Sequence, residues 1–233
     1  LLVVTVFVIN SVKSCFSNTN NMLTVHSFMF NPFQENTYIL YDDSKECIII
    51  DPGCYTIDEQ DLLKQYINSY GLTPVRLINT HCHIDHILGN NFVFKTYGLL
   101  PEYHAAEQYI MDAMDNISKM YDINLDPSPA PQRYIEAGEK INFGHSELIS
   151  IFTPGHSPAS LSFYSKNDGI CIAGDVLFYG SIGRTDLPGG NYDTLIDSIE
   201  RELMTLPDAT IIYPGHGDPT TIGFERNNNP FLQ

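Results

Sequence analysis

The stretch Thr80-His81-Cys82-His83-Ile84-Asp85-His86 sets three imidazoles and a carboxylate within six residues. It follows Val75-Arg76-Leu77-Ile78-Asn79, an apolar run that reads as a buried strand, and it leads into Ile87-Leu88-Gly89-Asn90, which reads as the start of a helix. Side chains two apart on an extended segment share a face, so His81 and His83 point together while Cys82 faces away as a buried spacer. Asp85 and His86, in the turn beyond, can face a second centre a few ångströms off. Neutral imidazole and carboxylate are donors that zinc takes, and they also suit iron and manganese. The bland alternative is a polar loop of solvated histidines, and His-x-His-x-Asp-His is too dense a pattern to favour it.

Three more strand ends carry donors. Pro154-Gly155-His156 closes Leu148–Phe152, Gly174-Asp175 closes Ile170–Ala173, and Pro214-Gly215-His216-Gly217 closes Thr210–Tyr213. A Gly-His after a strand is by itself more often a turn than a ligand. Four strand ends that each deliver ligand chemistry make a joint signal.

The order His-x-His-x-Asp-His, His, Asp, His resembles the metallo-β-lactamase-fold hydrolases. With Pro154-Gly155-His156-Ser157-Pro158 and Gly183-Arg184-Thr185-Asp186, it is most similar to the short bacterial members of the glyoxalase II branch. The resemblance runs from about Met22 to the C-terminus. It implies an α+β fold, a four-layer αββα sandwich of two mixed β-sheets with the site at one edge. It also implies that His81, His83 and His156 hold one metal ion, that Asp85, His86 and His216 hold another, and that Asp175 bridges them. The implied cofactors are two divalent ions, zinc foremost, with iron or manganese fitting as well. Two such ions about 3.5–4 Å apart activate a shared water as hydroxide near neutral pH. By the same analogy Asp85 is both ligand and orienter of that nucleophile. The implied reaction is hydrolysis of a small acyl thioester, S-lactoylglutathione to lactate and glutathione.

Other features refine the picture. The basic helical domain with which longer glyoxalase II enzymes grip glutathione has no counterpart in residues 176–233, so the thiol carrier stays open. Arg184 either meets a substrate carboxylate or pairs with Asp186. Asp51-Pro52-Gly53 ends a strand that lies beside the metal site in the family, and Asp51 reads here as a turn-former. Alternatives are a mononuclear iron persulfide dioxygenase of the same fold, a catalytically silent metal-binding interaction protein and, with less support, a true β-lactamase, because those lack a bridging aspartate. No Gly-x-Ser-x-Gly elbow supports a serine hydrolase.

The composition is that of a globular chain of 233 residues, 43% of them apolar, enough for a substantial core. A formal charge of −16 repels nucleic acid and anionic membranes, which leaves a small molecule as the expected partner. Five cysteines without ribbon spacing suit a reducing compartment. Residues 1–21 read as a leader or non-native extension, with Met22 as the natural start of the hydrolase domain 22–233. On that reading the protein is cytoplasmic.

Strands are expected at Leu23–Phe30, Asn36–Tyr41, Cys47–Ile50, 140–143, 147–152, 161–165, 170–173 and 209–213. Helices are expected over 58–70, ended by Gly71, over 105–121 with its methionines and tyrosines in the core or, as the alternative, in a pocket wall, and over 193–206. The proline-rich 126–131 is a loop that could border the active-site mouth.

Overall fold

The computed structural model describes Met22–Gln233, and the reading of residues 1–21 lies outside the described residues. Two six-stranded sheets are built one after the other along the chain. The first takes β1 (Thr24–Phe30), β2 (Glu35–Tyr41), β3 (Glu46–Ile50), β4 (Thr73–Ile78), β5 (Pro101–Tyr103) and β6 (Arg133–Tyr134), in that spatial order. β1 to β3 are antiparallel and β3 to β6 are parallel, so the sheet is mixed. The second sheet holds β7 (Lys140–Phe143), β8 (Ser146–Phe152), β9 (Leu161–Ser165) and β10 (Ile170–Gly174). After the hairpin of β11 (Leu177–Phe178) and β12 (Ser181–Ile182), the sheet is completed by β13 (Ile211–Pro214) and β14 (Thr220–Thr221). β10 and β13 are parallel, and the other pairs are antiparallel.

The period-two alternation of the strands sorts their side chains into layers. Leu40, Ile48, Ile50 and Ile78 face Leu148, Leu161, Phe163 and Ile172 across the inter-sheet core. Their neighbours Ile39, Cys47, Ile49 and Leu77 point outward, onto Leu63 and Ile67 of α1 (Ile57–Tyr70). α2 (Ile84–Ile87) and α3 (Asn90–Tyr97) follow the metal-bearing turn. Then come α4 (Gln108–Asp112) and α5 (Met114–Met120). On the second sheet, Cys171, Ala173 and Ile212 pack against Leu195 and Ile199 of α6 (Tyr192–Arg201) and Ile222 of α7 (Ile222–Asn228). The order helix, sheet, sheet, helix is the expected αββα sandwich. Among the described residues no helix is long and apolar enough to cross a membrane.

Local signals set most element ends. Thr56 caps α1, accepting from Glu59 N, while the Glu59 carboxylate accepts from Thr56 N at 2.8 Å, a reciprocal capping box. Three expectations need correction. The helix over 105–121 is a 3-10 turn (Ala105–Glu107) followed by α4 and α5, separated at Ala113. Tyr109, Met120 and Tyr121 are exposed rather than core, while Ile110 and Met114 are buried under the metal turn. The helix over 193–206 stops at Arg201 and continues as the 3-10 turn Leu203–Thr205. Residues 126–131 form the expected loop, tied to α3 by polar contacts: Asp126 pairs with Lys95 at 2.7 Å, and Ser128 Oγ accepts from Asn90 Nδ2 at 2.9 Å.

Candidate metal centre

Strand ends from both sheets converge at one edge of the sandwich. His81 and His83, on the turn after β4, meet His156, on the turn after β8, with their nearest ring nitrogens all within 4.8 Å of one another. Asp85, His86 and His216, which follows β13, form a second group within the same limit. Asp175 follows β10 and lies between the two. Its Oδ2 is 3.5 Å from His156 Nε2 and from His216 Nε2, and its Oδ1 is 3.5 Å from His86 Nε2. All seven donors singled out in the sequence therefore meet. Gly174 makes the last approach possible: it is left-handed at φ 53°, and a Cβ there would stand 2.5 Å from Thr80 Oγ1.

The hydrogen-bond network assigns the imidazole tautomers. Thr80 has one hydroxyl proton, and its 2.6 Å contact with Asp51 Oδ2 uses it. Toward His81 Nδ1, 3.0 Å away, that hydroxyl must accept, so Nδ1 carries the proton and Nε2 presents its lone pair. His86 Nδ1 donates to Asp51 Oδ2 at 3.1 Å, His156 Nδ1 to the Arg184 carbonyl at 2.7 Å, and His216 Nδ1 to the Phe33 carbonyl at 3.1 Å. Each of these four rings turns Nε2 toward the centre. His83 is the exception and offers Nδ1, 2.8 Å from His156 Nε2. A hydrogen bond on the far nitrogen of a ligating imidazole fixes its tautomer and aim.

Whether the site fits metal ions can be judged from its buried atoms. His81 Nε2, His86 Nε2 and Asp175 Oδ1 are buried without a hydrogen-bond partner. Buried polar atoms are nearly always satisfied, and these three face one common space. Neutral imidazoles and carboxylates aimed together are the donor set for zinc, iron or manganese. The residues fit the group.

The electrostatics divide the site in two. Burial lowers His81 well below the ordinary histidine range, pushes His83 down to about 3 and also lowers His156. These rings stay neutral, the form that ligates. Burial also works to lower His86, but Asp85, Asp175 and Asp51 together override it and hold it well above its ordinary value. The carboxylate field that favours a proton there equally favours a divalent cation. Asp175 is itself held well below the usual carboxylate range: its burial is outweighed by His86, His156 and His216.

Two residues of the site were not assigned from sequence. Asp51 does form a turn, at φ 49°, but it also supports the metal centre. It accepts from Thr80 N at 2.7 Å, and so buttresses His86 directly and His81 through the Thr80 hydroxyl. The Asp-Pro-Gly strand end was the available signal. Glu35, fully buried, accepts from Thr37 Oγ1 at 2.9 Å and places Oε1 3.9 Å from His86 Nδ1; burial raises its pKa well above the usual range. Nothing local to its sequence marks it. Cys82 is a buried spacer as expected, its thiol pushed well up by burial. Arg184 is exposed and grips Asp186 through two contacts of 2.7 Å. The pair with Asp186 is thus formed, at the exposed position where Arg184 was also expected to meet a substrate carboxylate.

Residues 30–216 match the Metallo-beta-lactamase superfamily, and the chain belongs to that family. A "probable metallo-hydrolase" of Bacillus subtilis is 42% identical over 203 residues, 86% of this chain and 93% of that one. The hydroxyacylglutathione hydrolase GloC of Haemophilus influenzae is 34% identical over 206 residues, again 86% and 93% of the two chains. Among solved structures, the B3 metallo-β-lactamase BLEG-1 superposes with a TM-score of 0.83 at 34% identity, covering 90% of this chain and all of that one. The protein TTHA1623, solved in a di-iron-bound form, gives 0.79 at 33%, covering 89% and 100%.

Proposed function

We propose that this protein is a two-metal hydrolase of small acyl thioesters, with S-lactoylglutathione or a close relative as substrate. His81, His83 and His156 would hold one ion, Asp85, His86 and His216 the other, and Asp175 would be shared between them. The observation that carries the reading is the convergence of His81 Nε2, His86 Nε2 and Asp175 Oδ1, buried and unpartnered, on one space. The likeness to a hydroxyacylglutathione hydrolase supports the thioester, and the likeness to a di-iron protein keeps iron beside zinc as the resident metal.

When bound, the ions supply an activated water at neutral pH and an electrophilic anchor for a carbonyl oxygen. The chain does the rest. Asp85, whose Oδ2 sits 3.1 Å from His216 Nε2, orients the attacking water and accepts its hydrogen bond. The far-side bonds to Asp51, Thr80, Phe33 and Arg184 keep the imidazoles from turning during the reaction. A thiolate leaves without needing a proton, so no general acid has to be found. The Arg184–Asp186 pair is exposed, and water screens such a pair strongly. A substrate carboxylate can therefore draw the guanidinium away.

Metal-replete protein should release free thiol from S-lactoylglutathione, and a chelator or Asp85→Ala should abolish that release. No thiol from any member of a glutathione and coenzyme A thioester panel would refute the proposal. The likeness to a B3 enzyme favours β-lactam hydrolysis as the second reading. Turnover of β-lactams without turnover of thioesters would establish it instead.

A further inference from the structure

Glu107 closes the 3-10 turn before α4 and is fully buried. Its Oε2 accepts from Cys82 N at 2.9 Å. Its Oε1 accepts from Ser157 Oγ at 2.7 Å and from Ala159 N at 2.8 Å. Cys82 stands between His81 and His83, and Ser157 follows His156 directly. One carboxylate thus joins the two turns that carry the three imidazoles of the first group, although it touches none of the rings. We propose that Glu107 is a positioning residue for that metal centre, holding the His81–His83 turn and the His156 turn at the separation a shared ion needs. This inference rests on the two-metal reading above.

A carboxylate suits the task because it only accepts, and all its partners here are donors. Charge-assisted hydrogen bonds to N–H and O–H groups are stronger than neutral ones. A glutamine of the same size would face one turn with its NH2, placing a donor against Cys82 N–H or against Ala159 N–H. One turn must then swing away, and the rings it carries move with it. The backbone bond from Leu161 N to the Thr80 carbonyl, 2.8 Å, also ties the two segments, so loosening rather than unfolding is expected.

The test compares wild type and Glu107→Gln by zinc competition with a chelator, by absorption of the cobalt-substituted protein and by melting of the metal-stripped protein. Misplaced ligand support typically weakens metal binding 10–100-fold. That loss is expected for one of the two equivalents, with a changed cobalt spectrum. A role in packing alone predicts a lower melting temperature with both equivalents held as tightly as in wild type, and that result overturns the proposal. If wild type itself binds no metal, the two-metal reading fails instead, and the same titration reveals it. If Glu107→Gln does not fold, Ser157→Ala removes one of the three donors. A smaller loss at the same equivalent is then expected, and unchanged affinity would overturn the proposal.

Discussion

Gly215→Ala separates metal binding from folding better than the removal of any ligand. Gly215 follows β13, and its backbone is held on both sides: its N–H donates to the Gly174 carbonyl at 2.8 Å and its carbonyl accepts from Asn36 N at 2.7 Å. Its φ is not positive, so alanine meets no backbone penalty. The obstacle is space. A Cβ there would stand 2.0 Å from Asp175 Oδ1 and 2.8 Å from His86 Cε1, and contacts under 3.0 Å essentially do not occur. With the backbone pinned, the Asp175 carboxylate must retreat by about 1 Å, a displacement that can lower turnover up to ~100-fold. Disturbed ligand geometry weakens metal affinity about 10–100-fold, or about 1.4–2.8 kcal/mol. The metal-stripped fold should lose little, because Gly→Ala at a compatible φ gains about 0.4–1 kcal/mol from the unfolded state and so offsets part of any strain. The assays are metal equivalents after dialysis against a graded chelator, thiol release from S-lactoylglutathione, and melting of the stripped protein. Wild-type stoichiometry, affinity and turnover in the variant would show that Asp175 does not bridge two ions.

The other predictions concern support around the donors and between the sheets. Asp51→Asn keeps a residue that tolerates φ 49° but turns an NH2 toward the donors of Thr80 or His86; metal affinity should fall about 10–100-fold by competition titration, and the stripped protein should lose about 1–3 kcal/mol from the opposed buried donors. Asp42 accepts from Ser44 N, His145 N and Ser146 Oγ at 2.7–2.9 Å and so ties the β2–β3 turn to the β7–β8 hairpin. Asp42→Asn should therefore cost about 1–3 kcal/mol in denaturant unfolding of the stripped protein. Burial pushes the Asp42 pKa up, but these hydrogen bonds outweigh it and the net shift is downward. Its contribution is thus complete above the unfolded value of ~3.9 and is lost as pH falls through the lower folded value. The stability gap between variant and wild type should be flat above about pH 5 and close in more acid solution; a gap that widened there would contradict the depressed pKa.

The donors could be read from sequence because each is a local event. A β-run ends, a tight turn follows, and the turn carries a histidine or an aspartate. Their supports could not, because those contacts join distant positions. Asp51 reaches Thr80 and His86 across 29 and 35 residues, and its Asp-Pro-Gly strand end marks a turn near the site without saying which donors the carboxylate will accept from. The helix over 105–121 failed for a related reason. Its apolar spacing fits one continuous helix, but the surface it packs on is the curved metal turn of Cys82, Ile84, Ile87 and Leu88. The break falls at Ala113, and Ile110 on one side of it and Met114 on the other, four apart, both pack on that surface.

The same distinction explains why two neighbouring donor groups come to differ. Spacing places His81 and His86 on different faces of one short turn but says nothing of the charge around each. In the fold, both depend on Asp51, one through a neutral hydroxyl and the other directly. His81 therefore meets the carboxylate only through a hydrogen-bonded relay, among rings that burial keeps neutral. His86 meets it as a charge, together with Asp85 and Asp175. One side of the site is thus a cage of neutral imidazoles and the other a carboxylate-rich pocket, with Asp175 placed where it serves both. On the proposed function, a water held between such sides would face unequal fields, and Asp85, on the carboxylate side, would be the residue through which that inequality orients it.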